Sequence, residues 1–284
     1  MPRVPEQSDL GSQEAAGIFV NESAVVSTSP EELPIDLSFP SEKGDERDDF
    51  AAGARISVIV PTINEEGNLA RTLGIVLAHH VWEVIVSDGG SEDRTVEIAR
   101  EMGVEVVESA RGRGLQLNAG AARASGDVFL FLHADTLLPE RFDEDVVRTL
   151  GVGGVSLGAF RLCIDTPGGA YRIIEKCVAC RSGMFQRPYG DQALFLKSEV
   201  FEALGGFPDY PVLEDYELVR RARKLGRVKL AEGCVVTSGR RWEARGVWKT
   251  TILNQVIIAA YRMGVSVERI ARWRDGGKTG GKRG

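Results

Sequence analysis

Cysteine is scarce in this chain: Cys163, Cys177, Cys180 and Cys234 are the only four in 284 residues. That is too few for a disulfide framework at this size, so reduced thiols are expected. Cys177 and Cys180 form a CxxC, but no second close pair accompanies them and no histidine follows His133, which argues against a structural zinc site. Two thiols on one turn of a partly buried helix is the expected account. Long apolar runs are missing too: the longest late stretch, Val256 to Tyr261, is far short of a membrane span. The N-terminus lacks a basic region followed by an apolar run, so no secretory signal is read there and a cytoplasmic location is expected. A dense basic face is also absent, since the net charge is -6, and nucleic acid is not an expected partner.

What charge there is lies unevenly. Residues 1–53 hold 12 acidic residues against Arg3, Lys43 and Arg47, a balance of -9, so the rest of the chain totals +3. Prolines 2, 5, 30, 34 and 40 punctuate this acidic segment, and its composition predicts a disordered extension. The length of the remainder allows one large domain or two small ones with ample apolar content for a core.

The stretch the chain is organised around is DVFLFLHADTLLP, residues 127–139. Val128 to Leu132 are five apolar residues in a row, which reads as a strand covered on both faces. Such a strand delivers His133, Ala134 and Asp135 to the carboxyl edge of a sheet, where open α/β sheets bind ligands. Asp135 is then the acid best placed for a metal, or else the cap of a helix from about Leu138.

Before it, Ile56 to Val60 predicts a first strand closed by Pro61, and Leu69, Leu73, Val76 and Leu77 share one helical face. Asn64, Glu65 and Glu66 lie at that helix's N-terminus, where backbone N–H groups are met by side chains or by a ligand; capping is the reading for Glu66. Val81 to Val86 is a second strand, followed by a glycine turn at Gly89 and Gly90 and a helix. Asp88, before that turn, is placed either to accept hydrogen bonds from a ribose or base, or to brace the turn. A third strand at Val104 to Val107 precedes Arg111 and Arg113, which sit in a glycine-rich stretch opening a helix and can meet a diphosphate or simply face solvent.

Beyond residue 140 the pattern changes. Ser156 to Ile164 alternates as an antiparallel or edge strand, a helix follows from about Gly169 to Gly183, and Glu214 and Asp215 open a later helix. Short strands are expected within Val228 to Val236, and an apolar helix runs from about Trp248 to Met263 before a basic end.

PTINEE at 61–66, SDGGSEDRT at 87–95, GRGLQLNAG at 112–120, HADT at 133–136, LGGF at 204–207 and LEDYELVRRARKLG at 213–226 together resemble family-two glycosyltransferases of GT-A type, over residues 55–242 and in the family's order. YGDQ at 189–192 and SGRRW at 238–242 resemble a bacterial subgroup of arsenosugar-biosynthesis or lipopolysaccharide-type enzymes. The resemblance implies an α/β fold of GT-A, Rossmann-like type, a mixed and mainly parallel sheet flanked by helices, over residues 54–245, with 246–284 as an amphipathic helix and basic tail. It implies a nucleotide site at Pro61, Asn64, Glu65 and Asp88, with Arg113 close to the nucleotide. Ala134 and Asp135 would stand at the metal-binding acid motif, and Arg241 and Trp242 near the diphosphate or acceptor. Asp215 matches the catalytic base, while Glu214 beside it is read as a helix acid favoured by the dipole. Two departures are visible: His133 replaces the first acid of the metal motif, and SGRRW lacks the family's glutamine.

The chemistry so implied is inverting displacement at an anomeric carbon with a nucleoside diphosphate leaving. Mg²⁺ or Mn²⁺ on Asp135 is the expected cofactor, because such ions accept one or two protein carboxylates and complete their shell with phosphate and water. A UDP-sugar is the favoured donor. The acceptor is unspecified: the apolar stripe of the last helix packs against its own domain, or else its basic collar, Arg240, Arg241, Arg245 and Lys249 before it and Arg262, Arg269, Arg272 and Arg274 after, rests on the inner face of a membrane and meets a lipid-linked acceptor. The alternatives are a non-catalytic membrane-surface scaffold and a sugar-phosphate nucleotidyltransferase, although PTINEEGNL is not the glycine- and arginine-rich loop the latter needs.

Overall fold

The structure, a computed structural model, describes residues 53–239 and 246–274. Most of the acidic extension, together with Arg240, Arg241, Trp242, Arg245 and the last ten residues, lies outside the described residues. Eight strands form one sheet in the order β3-β2-β1-β4-β7-β6-β8-β5. The first half is βα units in succession: β1 (Ile56–Thr62), α1 (Leu69–Leu77), β2 (Glu83–Asp88), α2 (Thr95–Glu101), β3 (Glu105–Glu108), α3 (Arg113–Arg123) and β4 (Val128–Phe131). Its strands all pair in parallel. The second half comprises β5 (Thr136–Leu137), α4 (Phe142–Leu150), β6 (Val155–Ile164), α5 (Gly169–Met184), β7 (Leu194–Lys197), α6 (Ser198–Ala203), α7 (Glu214–Leu225), β8 (Arg227–Thr237), α8 (Val247–Arg262) and α9 (Val267–Arg274).

Alternation of side chains along each strand divides the core into two layers. Val58, Val60, Leu130 and Leu132 point to one face, where α1, α2, α4 and α5 cover them through residues such as Leu73, Ala99, Phe142 and Ile174. Ile59, Phe129 and Phe131 point to the other, beneath Leu117 of α3, Phe201 of α6 and Leu218 of α7. Burial on both faces is why the parallel strands read as unbroken apolar runs. The approach of α3 to β1 depends on Gly120, where an added Cβ would lie 2.5 Å from Ile59 Cγ2.

Several expectations are corrected. Pro61 does not end β1; Pro61 and Thr62 still pair with Ser87 and Asp88, because proline loses only its donor. The strand at Ser156 to Ile164 is not at an edge: β6 lies between antiparallel β7 and parallel β8 and is buried along most of its length. Residues 228–236 belong to one 11-residue strand. No helix starts at Leu138, because Thr136 and Leu137 pair with β8 and α4 begins at Phe142. Cys163 and Cys234 are not free thiols. They form a disulfide between neighbouring β6 and β8, with Cα atoms 6.0 Å apart, while Cys177 and Cys180 are free and exposed on α5.

Candidate functional site

At the carboxyl edge of β1 and β2 the two following loops are tied to each other. Asn64, held at φ 54°, donates its backbone N–H to Ser91 Oγ at 2.9 Å and accepts from the Glu92 amide at 2.8 Å. The Glu65 amide donates to Thr95 Oγ1 at 2.8 Å, and the Glu65 carboxylate accepts from Asn68 Nδ2 at 2.7 Å. Glu66 does not cap its own helix, which begins only at Leu69; its carboxylate accepts the amide of Arg94, the N-cap of α2, at 3.1 Å. Pro61 is half-buried just before this network.

Asp88 is 3% exposed and braces the turn. One carboxylate oxygen accepts from the hydroxyls of Thr62 and Ser91, and the other from the Gly90 and Ser91 amides at 2.9 and 2.8 Å. Gln116 of α3, also buried, stitches the two strand ends by donating to the Thr62 and Ser87 carbonyls. Asn118 exchanges two hydrogen bonds with the backbone of Phe207, which docks the LGGF segment on α3. Sequence reasoning passed over Gln116 and Asn118; the signal was an amide side chain inside an otherwise apolar helix, GLQLNAG.

The second cluster is assembled around Asp215, in the first turn of α7. Asp215 Oδ2 accepts the Gly190 amide at 2.7 Å and Oδ1 accepts the Tyr216 amide at 2.7 Å. Burial works to raise its pKa, but the Arg113 guanidinium, those two amides and His133 outweigh burial and hold the carboxyl below the usual range. Glu214 is not the solvated helix acid expected from its position: it is 1% exposed and its carboxylate pairs with Arg113 Nε. Arg113 therefore does not simply face solvent: about two-thirds of its side chain is covered. Burial opposes its charge, but Glu214, Asp215 and Asp191 raise its pKa further, so it is a permanent cation. Leu213, the residue before this pair, is held at φ 68°, a left-handed conformation disfavoured for a branched side chain.

His133 joins this cluster. Its ring and Asp215 approach Gly190 together: a Cβ there would lie 3.0 Å from Asp215 Oδ2 and 3.3 Å from His133 Nε2. A cleft of about 850 Å³ opens from Arg113, His133 and Asp215 towards α8 and α9, where Leu253, Ile257 and Trp273 line it. Ala134 is buried and its carbonyl accepts the Thr72 hydroxyl. Asp135, half-buried on the β4–β5 connection, does not line that cleft. Among the described residues no three His, Cys, Asp or Glu side chains form a metal-holding group. Arg241 and Trp242 lie outside the described residues. Through Arg113 and Gln116, α3 reaches both the Asp215 cluster and the strand ends beside the loops at Asn64 and Asp88.

Residues 57–201, just over half of the chain, match the model of the family "Glycosyl transferase family 2". The chain is 27% identical over 188 residues to glycosyltransferase AglE of Haloferax volcanii, which covers 60% of this chain and 62% of that one. To 4,4'-diaponeurosporenoate glycosyltransferase of Staphylococcus haemolyticus it is 37% identical over 92 residues, 29% of this chain and 24% of that one. The chain spans less than two thirds of the length of these curated relatives. Its fold is similar to that of glucosyl-3-phosphoglycerate synthase from Mycobacterium tuberculosis, crystallised with Mn²⁺, UDP and glucosyl-3-phosphoglycerate, at a TM-score of 0.55 and 22% identity, over 80% of this chain and 86% of that one. At that identity the likeness is one of fold, and the mixed, mainly parallel GT-A arrangement expected from sequence is the one observed.

Proposed function

Because the chain belongs to glycosyl transferase family 2, we propose that it moves a sugar from a nucleoside-diphosphate sugar, a UDP-linked hexose, to an acceptor hydroxyl with inversion at the anomeric carbon. Within the family we assign it, by YGDQ and SGRRW, to the bacterial arsenosugar-biosynthesis or lipopolysaccharide-type subgroup. A nucleotidyltransferase or a scaffold without turnover is the less favoured reading.

The observation that carries the proposal is the placing of Asp215 at the wall of the cleft, joined through Arg113 and Gln116 of α3 to the strand ends beside the loops at Asn64 and Asp88. In this reading the nucleotide lies on those loops and the acceptor in the cleft. The acceptor oxygen bonds to the anomeric carbon, the bond to the diphosphate breaks with its electron pair leaving on phosphate, and the hydroxyl proton passes to Asp215. A depressed pKa keeps that carboxylate ionised. Arg113, a cation at the start of α3, stabilises the charge that develops on the diphosphate. Asp135 fits a divalent ion as an oxygen donor, and Mg²⁺ or Mn²⁺ there would neutralise phosphate charge. Pro61, Asn64 and Glu65 shape the nucleotide loop, Asp88 holds its companion turn, and Arg241 and Trp242 belong to the acceptor or diphosphate side.

Replacing Asp215 by Asn tests this. Turnover should fall about 10²–10⁴-fold while UDP-glucose binding, read by calorimetry, persists; near-normal turnover with weakened donor binding removes Asp215 from the base role.

The acceptor is assigned as lipid-linked, presented at the inner face of a membrane. On α8 the apolar stripe divides: Leu253, Ile257 and Ala260 pack with Val212 and Leu213, whereas Trp248, Ile252 and Val256 are 55%, 61% and 51% exposed. That exposed row, with basic residues at both ends of the segment, supports peripheral contact. No helix among the described residues is long and apolar enough to cross a membrane. Flotation with anionic vesicles should show salt-sensitive binding that falls when Arg269, Arg272 and Arg274 are neutralised; absence of binding at low salt points to a water-soluble acceptor.

A further inference from the structure

The turn at 189–192 is built around a side chain that faces away from the cleft. Gln192 is fully buried. Its Oε1 accepts from Arg181 Nη2 at 3.0 Å, from Ser182 Oγ at 2.8 Å and from the Tyr189 amide at 3.3 Å, while its Nε2 donates to the Phe160 carbonyl at 2.8 Å. One amide group thereby joins α5, β6 and the turn. Arg181 adds a second hold, with its guanidinium 3.4 Å above the Tyr189 ring and its Nε donating to the Arg187 carbonyl. The turn closes on Ala193 at φ 46°, a left-handed conformation that a non-glycine residue keeps only when its surroundings enforce it. Leu213 at φ 68° stands immediately before Glu214 and Asp215. The two strained residues thus flank the two segments that meet where the Gly190 amide donates to Asp215 Oδ2.

We infer that Gln192 is a positioning residue: it holds the 189–192 turn so that the Gly190 N–H and the absence of a side chain at Gly190 set where the Asp215 carboxylate stands. This deepens the reading of Asp215 as the base and rests on it. A carboxylate displaced by about 1 Å loses on the order of 10²-fold in rate without any loss of donor contacts. A purely packing role for Gln192 would instead weaken the β6–β7 region as a whole.

The test uses the full chain with UDP-glucose and Mn²⁺, reading UDP release and amide exchange in peptides covering 186–193, β6 and β7. Gln192→Leu should lower kcat about ten- to a hundredfold with donor KM within about twofold, and exchange should rise in 186–193 while β6 and β7 stay protected. Gly190→Ala leaves Gln192 intact but drives a Cβ towards Asp215 and His133, so it should reproduce the kcat loss, and combining it with Gln192→Leu should be no worse than either alone. Unchanged kcat in Gln192→Leu, or exchange that rises equally across β6 and β7, would overturn the inference. The exchange measurement needs no turnover and decides by itself. Asp215→Asn run in parallel separates the two claims: if it keeps full kcat the base assignment fails, and if it loses kcat while Gln192→Leu does not, only the positioning role fails.

Discussion

The half of the sheet that ends at β4 and the half that begins beyond it hold their functional residues by different means. On the β1–β2 edge the loops are locked by partners 27 to 30 residues apart, Asn64 with Ser91 and Glu92, Glu65 with Thr95, Glu66 with Asp93. Two consecutive βα units suffice to make that network. Around Asp215 the Gly190 amide comes from 25 residues away, but the ties to α3 are far more remote: Glu214 pairs with Arg113 from 101 residues away, and Asn118 holds Phe207 from 89 residues away. The edge proposed to bind nucleotide is thus a property of one supersecondary unit, whereas the reaction centre proposed at Asp215 exists only when remote segments have closed on α3. Loss of tertiary packing should therefore reach Asp215 before it reaches Asn64 and Asp88.

The largest effect is expected at the junction of the halves. Asp135→Ala should reduce transfer to background while leaving the melting temperature nearly unchanged, because a half-buried strand-edge carboxylate adds little to the core; full activity at saturating metal and donor would remove it from the metal role. The Cys163–Cys234 bond staples β6 to β8 within the second half across 71 residues. Its loss should cost about 4 kcal/mol by the loop-entropy relation, measured by urea unfolding with and without reductant. Identical unfolding curves would restore the four free thiols that composition suggested.

Glu214→Gln cuts the tie between α7 and α3. It should cost about 2 kcal/mol, less than the ~3–5 for a fully buried pair, because the Arg113 side chain keeps 34% exposure and some hydration. Denaturant midpoints measure it, and hydrogen exchange should rise in α7 and not at the Asn64 loop. The smallest effect is in pH. Asp215 titrates below the ordinary carboxylate range, so the stability it contributes is present above its unfolded pKa of about 3.9 and is lost as pH falls through the lower folded value. The acid limb of kcat should accordingly lie below about pH 4, and Gly190→Ala, by taking away the facing amide's geometry, should move it upwards. A limb near pH 6 would assign the titration to another group.

Some of this molecule was legible without coordinates. Apolar runs marked β1, β2 and β4, period-3.6 spacing marked α1, and glycine and acid at strand ends marked the turns at Asn64 and Asp88, because each signal depends on residues a few positions apart. The resemblance singled out Asp215 and Arg113. Tertiary structure alone decided which strands became neighbours: β6 looks like an edge strand by alternation, yet it sits between β7 and β8, and that adjacency is what brings Cys163 to Cys234. The same holds for Glu214, whose burial against Arg113 no local pattern reveals, and for α8, where one apolar row is covered and the next is not. Residue order fixes periodicity and turn chemistry over a few bonds, while the partner of a buried charge is chosen by long-range closure of the chain, whose outcome no short window of sequence contains.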